Sequence, residues 1–474
     1  MSGSSTTPPL KMPLPTNRRY EIRTLFHLTW PILITQVAQA GFGLIDTVMA
    51  GRMSPSDLAV VAVGVGLWLP VVLFLAGVMI ATTPLVAEAK GAGHSSNIPW
   101  ITQQSLYLAL LLGMAGFTLL QLAPLTFNVL DIPAHLQAKA RFFLHAIAFG
   151  MPAVTLLATL RSYTEALGHP RPVTVISILG LLGIIPLNLV FMHGLFGLPK
   201  LGGAGCGIAT ASIQWIMLLV LAMYISLSKT YQQVKIFQQF SRFNLAMNQR
   251  ILSLGAPIGM AIFFEVSLFS IAAIILSPLG EIVVSAHQIA LSVTSVFFMA
   301  PLSLGMALTI RVGQLYGEKN WSAMQYVQRL GFIFATSMAL FSMLLMLLFR
   351  EQITGFYTTD TTVQAAATSL LLFALMYQLS DAWQVAAAGC LRGIQDTQGP
   401  MWITLLSYWG IALPLGIVLS RVLPYGAAGV WTGLVIGLTI AAVLLSFRLR
   451  QRQKLLFQHL AAQVDSSTIF IKNP

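Results

Sequence analysis

The sequence predicts an all-α polytopic membrane protein, twelve transmembrane helices arranged as two six-helix bundles. Composition, the length of the apolar runs and an internal repeat carry that prediction. Of 474 residues, 56% are hydrophobic and 8% charged, with a mean hydropathy of +0.80. A soluble domain has about a quarter of its residues charged, so this chain cannot cover itself with a solvated face. Its apolar runs reach about 20 residues, enough to cross a hydrocarbon layer of roughly 30 Å. A membrane β-barrel would show shorter alternating segments with a polar lumen face instead.

In chain order, the spans are expected near residues 24–49, 58–87, 101–123, 136–160, 172–193 and 203–227, then 249–276, 282–312, 322–348, 362–389, 399–420 and 427–447. Gly51 and Pro55 close the first, the GAGH stretch at 91–94 the second, LGHPRP at 167–172 the fourth and QDTQGP at 395–400 the tenth. The sixth begins at LGGAGCG, 201–207, which resembles no nucleotide loop and suits a closely packed helix. Several runs exceed twenty residues, consistent with tilt. Residues 1–20, rich in Ser, Thr and Pro, lack a signal-peptide h-region and are expected to form a disordered cytoplasmic tail.

A net charge of +12 raises the question of nucleic acid, but the charges collect in short connectors between apolar runs. If the spans alternate, 20 of the 26 Lys and Arg fall on the side of both termini and 6 on the other. The positive-inside bias then places both termini in the cytoplasm. Cys206 and Cys390 sit in apolar context and imply neither a disulfide framework nor a metal site.

The chain is internally duplicated. WPILI at 30–34 parallels APIGM at 256–260, and at the same spacing of 226 Thr83 matches Thr309 and Gly91 matches Gly317. LRSYTEALGHP at 160–170 echoes LRGIQDTQGP at 391–400, with Arg161 and Arg392 standing 231 apart. The longest connector, 228–248, separates an N-lobe at 21–227 from a C-lobe at 249–450, and 451–474 is expected as a cytoplasmic tail. Six is an even number, so both repeats enter from the same side and are related by an axis along the membrane normal. Such a pair of bundles suits alternating access.

Most of the 14 acidic residues lie in tails, connectors or span ends, and Glu88, Glu165 and Asp396 sit near connectors, where water is expected. Three remain deep: Asp46 in the first span, Glu265 in the seventh and Asp381 in the tenth. A charge at mid-membrane costs roughly 2.5–3.5 kcal/mol on insertion scales. With no Lys or Arg expected deep enough to neutralise them, each carboxyl must be protonated, hydrated or bound to a cation. Gln39 and Gly43 share a helical face with Asp46, and Tyr377 and Gln384 share one with Asp381. Tyr377 can ligate a cation or hold the carboxylate. Asn188, just after the helix-breaking Pro186, is a candidate partner for Asp46. For Asp381 and Glu265 the alternative is a protonated clamp between helices; for Asp46, five residues before Gly51, it is a position near the outer rim.

Some of the 27 Phe, 9 Trp, 11 Tyr and 20 Met are expected to line a central cavity. Met adapts to irregular shapes and aromatic faces attract organic cations. No Walker A loop, HExxH or GxSxG is present, so neither ATP-driven transport nor an enzyme is expected, and no cofactor.

The stretches WPILITQVAQAGFGLIDTVMAG (30–51), LGAPIGMAIFFEVSLFS (254–270), SAHQIALSVTSVFFMAPLSLGMALTIRVGQLYGE (285–318) and YQLSDAWQVAAAGCLRGIQDT (377–397) resemble the multidrug and toxic compound extrusion (MATE) family, in its bacterial NorM-type branch. The resemblance runs from about residue 20 to 450. It implies two six-helix lobes in a V shape and export of cationic drugs and dyes in exchange for Na⁺ or H⁺. It also implies that Glu265, Asp381 and Tyr377 form a cation site, a possible Na⁺ site, in the second lobe. Asp46, with Asn188 nearby, would be the first-lobe coupling acid. The expected setting is the bacterial inner membrane, as a monomer among lipids with small cationic substrates. A flippase for a lipid-linked precursor is the transport alternative, though it should carry a more basic cavity; an intramembrane enzyme or a channel lacks its motif.

Overall fold

The computed structural model describes residues 17–232, 234–423 and 425–471, and side chains of the last helix are described only in part. Twelve helices there are long and apolar enough to cross a membrane: Arg18–Met53, Pro55–Gly91, Asn97–Thr126, Ala134–Ala166, Arg171–His193, Gly202–Leu227, Leu245–Leu279, Glu281–Gly317, Trp321–Tyr357, Thr361–Gly393, Gln398–Val422 and Gly426–Leu456. Each expected span has its helix. Of the expected tail, residues 1–16 lie outside the described ones, and residues 18–20 are already helical. Asn17 caps that helix by accepting the Tyr20 N–H at 3.3 Å, which satisfies one of the orphan donors of its first turn. At the other end, the last helix runs on to Ile471 through most of the segment expected as a tail.

Starts and breaks follow local chemistry. Asn244, Asn320 and Asp360 cap the seventh, ninth and tenth spans by accepting backbone N–H groups of the first turn. Pro84 cannot donate to the Ile80 carbonyl, and the second span breaks at Ile80–Ala81, where that carbonyl accepts from Thr83 instead. Pro152 follows a similar break at Phe149–Gly150 in the fourth. In the eleventh, Pro414 leaves the Gly410 carbonyl without its usual donor, and residues Leu406–Ala412 wind as π-helix.

The apolar core divides by half, with exchange at two helices. Met247, Ile251 and Ile258 of the seventh span join a first-half cluster around Leu157 and Leu221. Conversely, Leu25, Leu28 and Ile32 of the first span join a second-half cluster around Leu304 and Leu308. The first span thus packs on the eighth and the second on the seventh, the crossing a two-fold axis would produce. The second and eighth meet along that axis. A Cβ on Gly91 would fall 1.8 Å from the Gln314 carbonyl oxygen, and one on Gly317 would fall 2.1 Å from that of Glu88. Gly91 and Gly317 stand 226 apart, as do Glu88 and Gln314, so the contact is its own image.

The connector at 228–248 is strapped down. Gln103 Nε2 donates to the carbonyls of Ile236 (2.8 Å) and Gln239 (2.7 Å), and Gln104 Nε2 donates to that of Arg242 (2.8 Å). Tyr163 donates to Val234 O at 2.9 Å. Two glutamines inside the third span thereby satisfy loop backbone that apolar side chains would leave unpaired.

Candidate functional site

Two carboxylate clusters occupy different halves. In the first, Asp46 is 7% exposed and accepts from Asn188 Nδ2 at 2.6 Å and Thr210 Oγ1 at 2.9 Å. The first, fifth and sixth spans each supply one group, and the structure brings Asp46 and Asn188 together as expected. Thr210 was not foreseen; a threonine in GIATASIQW gives no signal beyond its polarity. Gln39 and Gly43 are exposed rather than enclosed with Asp46, and a Cβ on Gly43 would meet nothing within 4 Å.

In the second half, Asp381 is buried and accepts from Gln384 Nε2 at 3.1 Å, while Gln384 Oε1 accepts from the Tyr408 hydroxyl at 2.6 Å. Glu265 of the seventh span is half-buried and makes no hydrogen bond among the described residues. It lines one cavity with Gln384, the residue that holds Asp381. Tyr377 is buried one turn from Asp381, its ring 6.2 Å from that of Trp431 and nearly parallel to it.

A cavity of about 40 Å³ lies beside them, lined by Glu265, Gln384, Tyr408, Arg392 and Thr397 among others, while Asp381 and Tyr377 stand outside its lining. At 10–15 Å³ per water it has room for about three, whereas drug-sized ligands need pockets of roughly 300–1,000 Å³. Its scale is that of a partly hydrated ion. Carboxylate, amide and phenol oxygens are hard ligands, the type preferred by Na⁺ or a hydrated proton. Among the described residues no three His, Cys, Asp or Glu side chains gather as a metal centre.

The structure corrects two expectations. Arg392 lines the same cavity as Glu265, so a cation does lie within reach of a deep acid. Likewise Glu165 and Asp396 meet arginines rather than water. Glu165 accepts from Arg161 Nε at 2.8 Å, and Asp396 accepts from Arg448 Nε at 2.8 Å and Arg452 Nε at 2.6 Å. Tyr408 escaped the sequence reading because it stands alone in LSYWG, with no acid on its own helix; the π-helical turns there aim it at the tenth span.

A family model, MatE, matches the chain twice, over residues 31–190 and 257–418, and the two matches start 226 residues apart. This chain belongs to the MatE family. Within it, this MatE protein is 59% identical to a probable multidrug resistance protein NorM of Acinetobacter baylyi, over 92% of this chain and 98% of that one. It is 42% identical to the multidrug resistance protein NorM of Vibrio cholerae, over 92% and 96% of the two chains. The fold matches the crystal structure of a eukaryotic MATE transporter with a TM-score of 0.83 at 18% identity, covering 93% of this chain and 99% of that one. It also matches a MATE structure in the bent conformation, with a TM-score of 0.84 at 20% identity, over 94% and 98%. The repeated match makes the duplication a property of the family model itself, and the NorM-type branch is the one these relatives occupy.

Proposed function

We propose that this MatE protein is a secondary multidrug antiporter of the bacterial inner membrane. It exports lipophilic organic cations in exchange for Na⁺ or H⁺, as a monomer with both termini in the cytoplasm. The observation that carries this reading is the ion-sized cavity lined by Glu265 and by Gln384, the residue that holds Asp381, in a chain without a nucleotide loop. Relatives named as multidrug resistance proteins supply the substrate class.

The N-lobe (21–227) and C-lobe (249–450) act as the two moving bodies. Among the described residues, every hydrogen bond joining the halves lies toward the side of the termini, including Glu21–Arg311, Gln314–Ala166 and Gln395–Glu88. That pattern suits a state open to the outside. Drug leaves as the coupling ion settles on Asp381, Glu265 and Tyr377, with Asp46, Asn188 and Thr210 as the first-lobe counterpart. The loaded protein turns inward and sheds the ion, because coupling requires the ligands to bind the two states unequally.

The test is transport in liposomes, following a fluorescent organic cation under a Na⁺ gradient at clamped pH and, separately, under a pH gradient. Either ion should drive accumulation, and Asp381→Asn should abolish it. Full ion-driven transport by Asp381→Asn would end the reading; transport of lipid rather than dye would favour a flippase.

A further inference from the structure

The cation cavity of the second half contains a positive charge of its own, and the repeat shows that this charge has been released from a partner. In the first half, Arg161 is held: its Nε donates to Glu165 at 2.8 Å and its Nη2 to Gln36 Oε1 at 2.7 Å. The equivalent pair 231 residues on is Arg392 and Asp396. There Asp396 is taken by Arg448 and Arg452 of the last span. The Arg392 guanidinium makes no hydrogen bond and no ion pair among the described residues. It lines the cavity near the termini-side end of the tenth span, while Glu265, Gln384 and Tyr408 line the same cavity deeper in the membrane. Glu265, equally without a hydrogen bond among the described residues, is the one acid that lines the cavity with it.

We infer that Arg392 is a tethered competitor for the coupling ion: it faces Glu265 across the cavity, opposes occupancy by Na⁺ or H⁺, and speeds the ion's departure. This rests on the antiport reading above. An arginine kept permanently charged and in reach of an acid is a fixed substitute for a mobile cation. When an ion occupies the Glu265 end, Arg392 is repelled toward Thr397 and the termini-side surface; when the ion leaves, Arg392 supplies the compensating charge. No deep acid is then left isolated in the emptied site, the condition that would otherwise trap the ion. Asp396 could have silenced this charge, and two arginines of the last span prevent it.

A unit charge acting over several ångström at an effective dielectric near 20 changes cation affinity by about tenfold or more. The test uses the full chain in liposomes and reads the half-saturating concentration of whichever ion, Na⁺ or proton, drives wild-type dye transport. Arg392→Met and Arg392→Gln should each lower that concentration about tenfold or more and slow maximal turnover, since release becomes harder. Arg392→Lys, which keeps the charge, should stay within about threefold of wild type. Tighter ion use is an outcome that damage to the fold does not produce, and the amide of the Gln variant provides a second, polar replacement. An unchanged or raised half-saturating concentration in a folded Met or Gln variant would overturn the inference. Asp381→Asn in the same assay separates the two failures: if it retains ion-driven transport, the antiport reading falls; if it loses transport while the Arg392 variants titrate like wild type, only the competitor role falls.

Discussion

At the scale of single residues, the site is built from side chains that no one helix could assemble. Tyr408 holds Gln384, and Gln384 holds Asp381, through bonds of 2.6 and 3.1 Å. A neutral hydrogen bond contributes about 0.5–1.5 kcal/mol. Tyr408→Phe should therefore raise the half-saturating coupling-ion concentration by about two- to tenfold while leaving maximal transport near wild type. An ion titration of dye efflux checks this, and an unchanged midpoint would remove Tyr408 from the site. Asp46, Glu265 and Asp381 stood out in the sequence because a carboxyl inside an apolar run is anomalous on its own, and Tyr377 only by its spacing of one turn from Asp381. Tyr408 and Thr210 were not, since hydroxyls are common in such runs and acquire meaning only from what they face. Arg392 was legible as a charge near a span end, but its reach into the cavity was not.

At the scale of elements, close approach depends on glycine. Gly91 and Gly317 let the second and eighth spans touch backbone to backbone, each meeting a carbonyl that a Cβ would strike. Gly91→Val should destabilise the protein by about 1–3 kcal/mol, the usual cost of overpacking. Thermal unfolding in detergent reads this, and an equivalent loss is expected for Gly317→Val by the repeat. The anchoring of the last helix is a second matter at this scale. Asp396, in the connector after the tenth span, is pushed up by burial, but the hydrogen bonds and charges of Arg448 and Arg452 outweigh this and hold its carboxyl below the ordinary range. A depressed folded value means that the stabilisation is complete above the unfolded value of about 3.9 and is lost as pH falls through the lower folded one. Wild type should thus lose thermal stability as pH drops below about 4. Asp396→Asn should already be less stable at neutral pH and lose less on acidification; parallel curves for the two would contradict the assignment.

At the scale of the whole molecule, the hydrogen bonds between the halves lie on one side among the described residues. Glu21 and Arg311 form a buried two-point ion pair at 2.7 and 2.8 Å between the first and eighth spans. Removing one partner of a buried pair costs about 3–5 kcal/mol because the other is left uncompensated. Here the cost falls on the conformation in which the termini-side ends meet, since parting them would give Arg311 access to water. Glu21→Gln should shift the population toward the opposite opening. Spin labels at positions 94 and 319 should then report a larger share of long distances, and an unaltered distribution would show that this pair does not hold the halves.

Sequence alone determined the twelve spans, their duplication and the three deep acids. Length and hydropathy suffice for a helix in lipid, where every backbone group must bond within its own segment. A repeat is a relation between letters, and an acid in an apolar run is conspicuous wherever it points. Tertiary structure decided that Glu265 and Arg392 line one cavity, that Glu165 and Asp396 face arginines instead of water, and that the first and seventh spans pack into the opposite half. Among the described residues it alone leaves Arg392 without a hydrogen bond or ion pair where Arg161 is bound. Each of these depends on the rotation and depth of one helix against another, and those are set by side-chain packing between residues hundreds of positions apart, which no local pattern encodes.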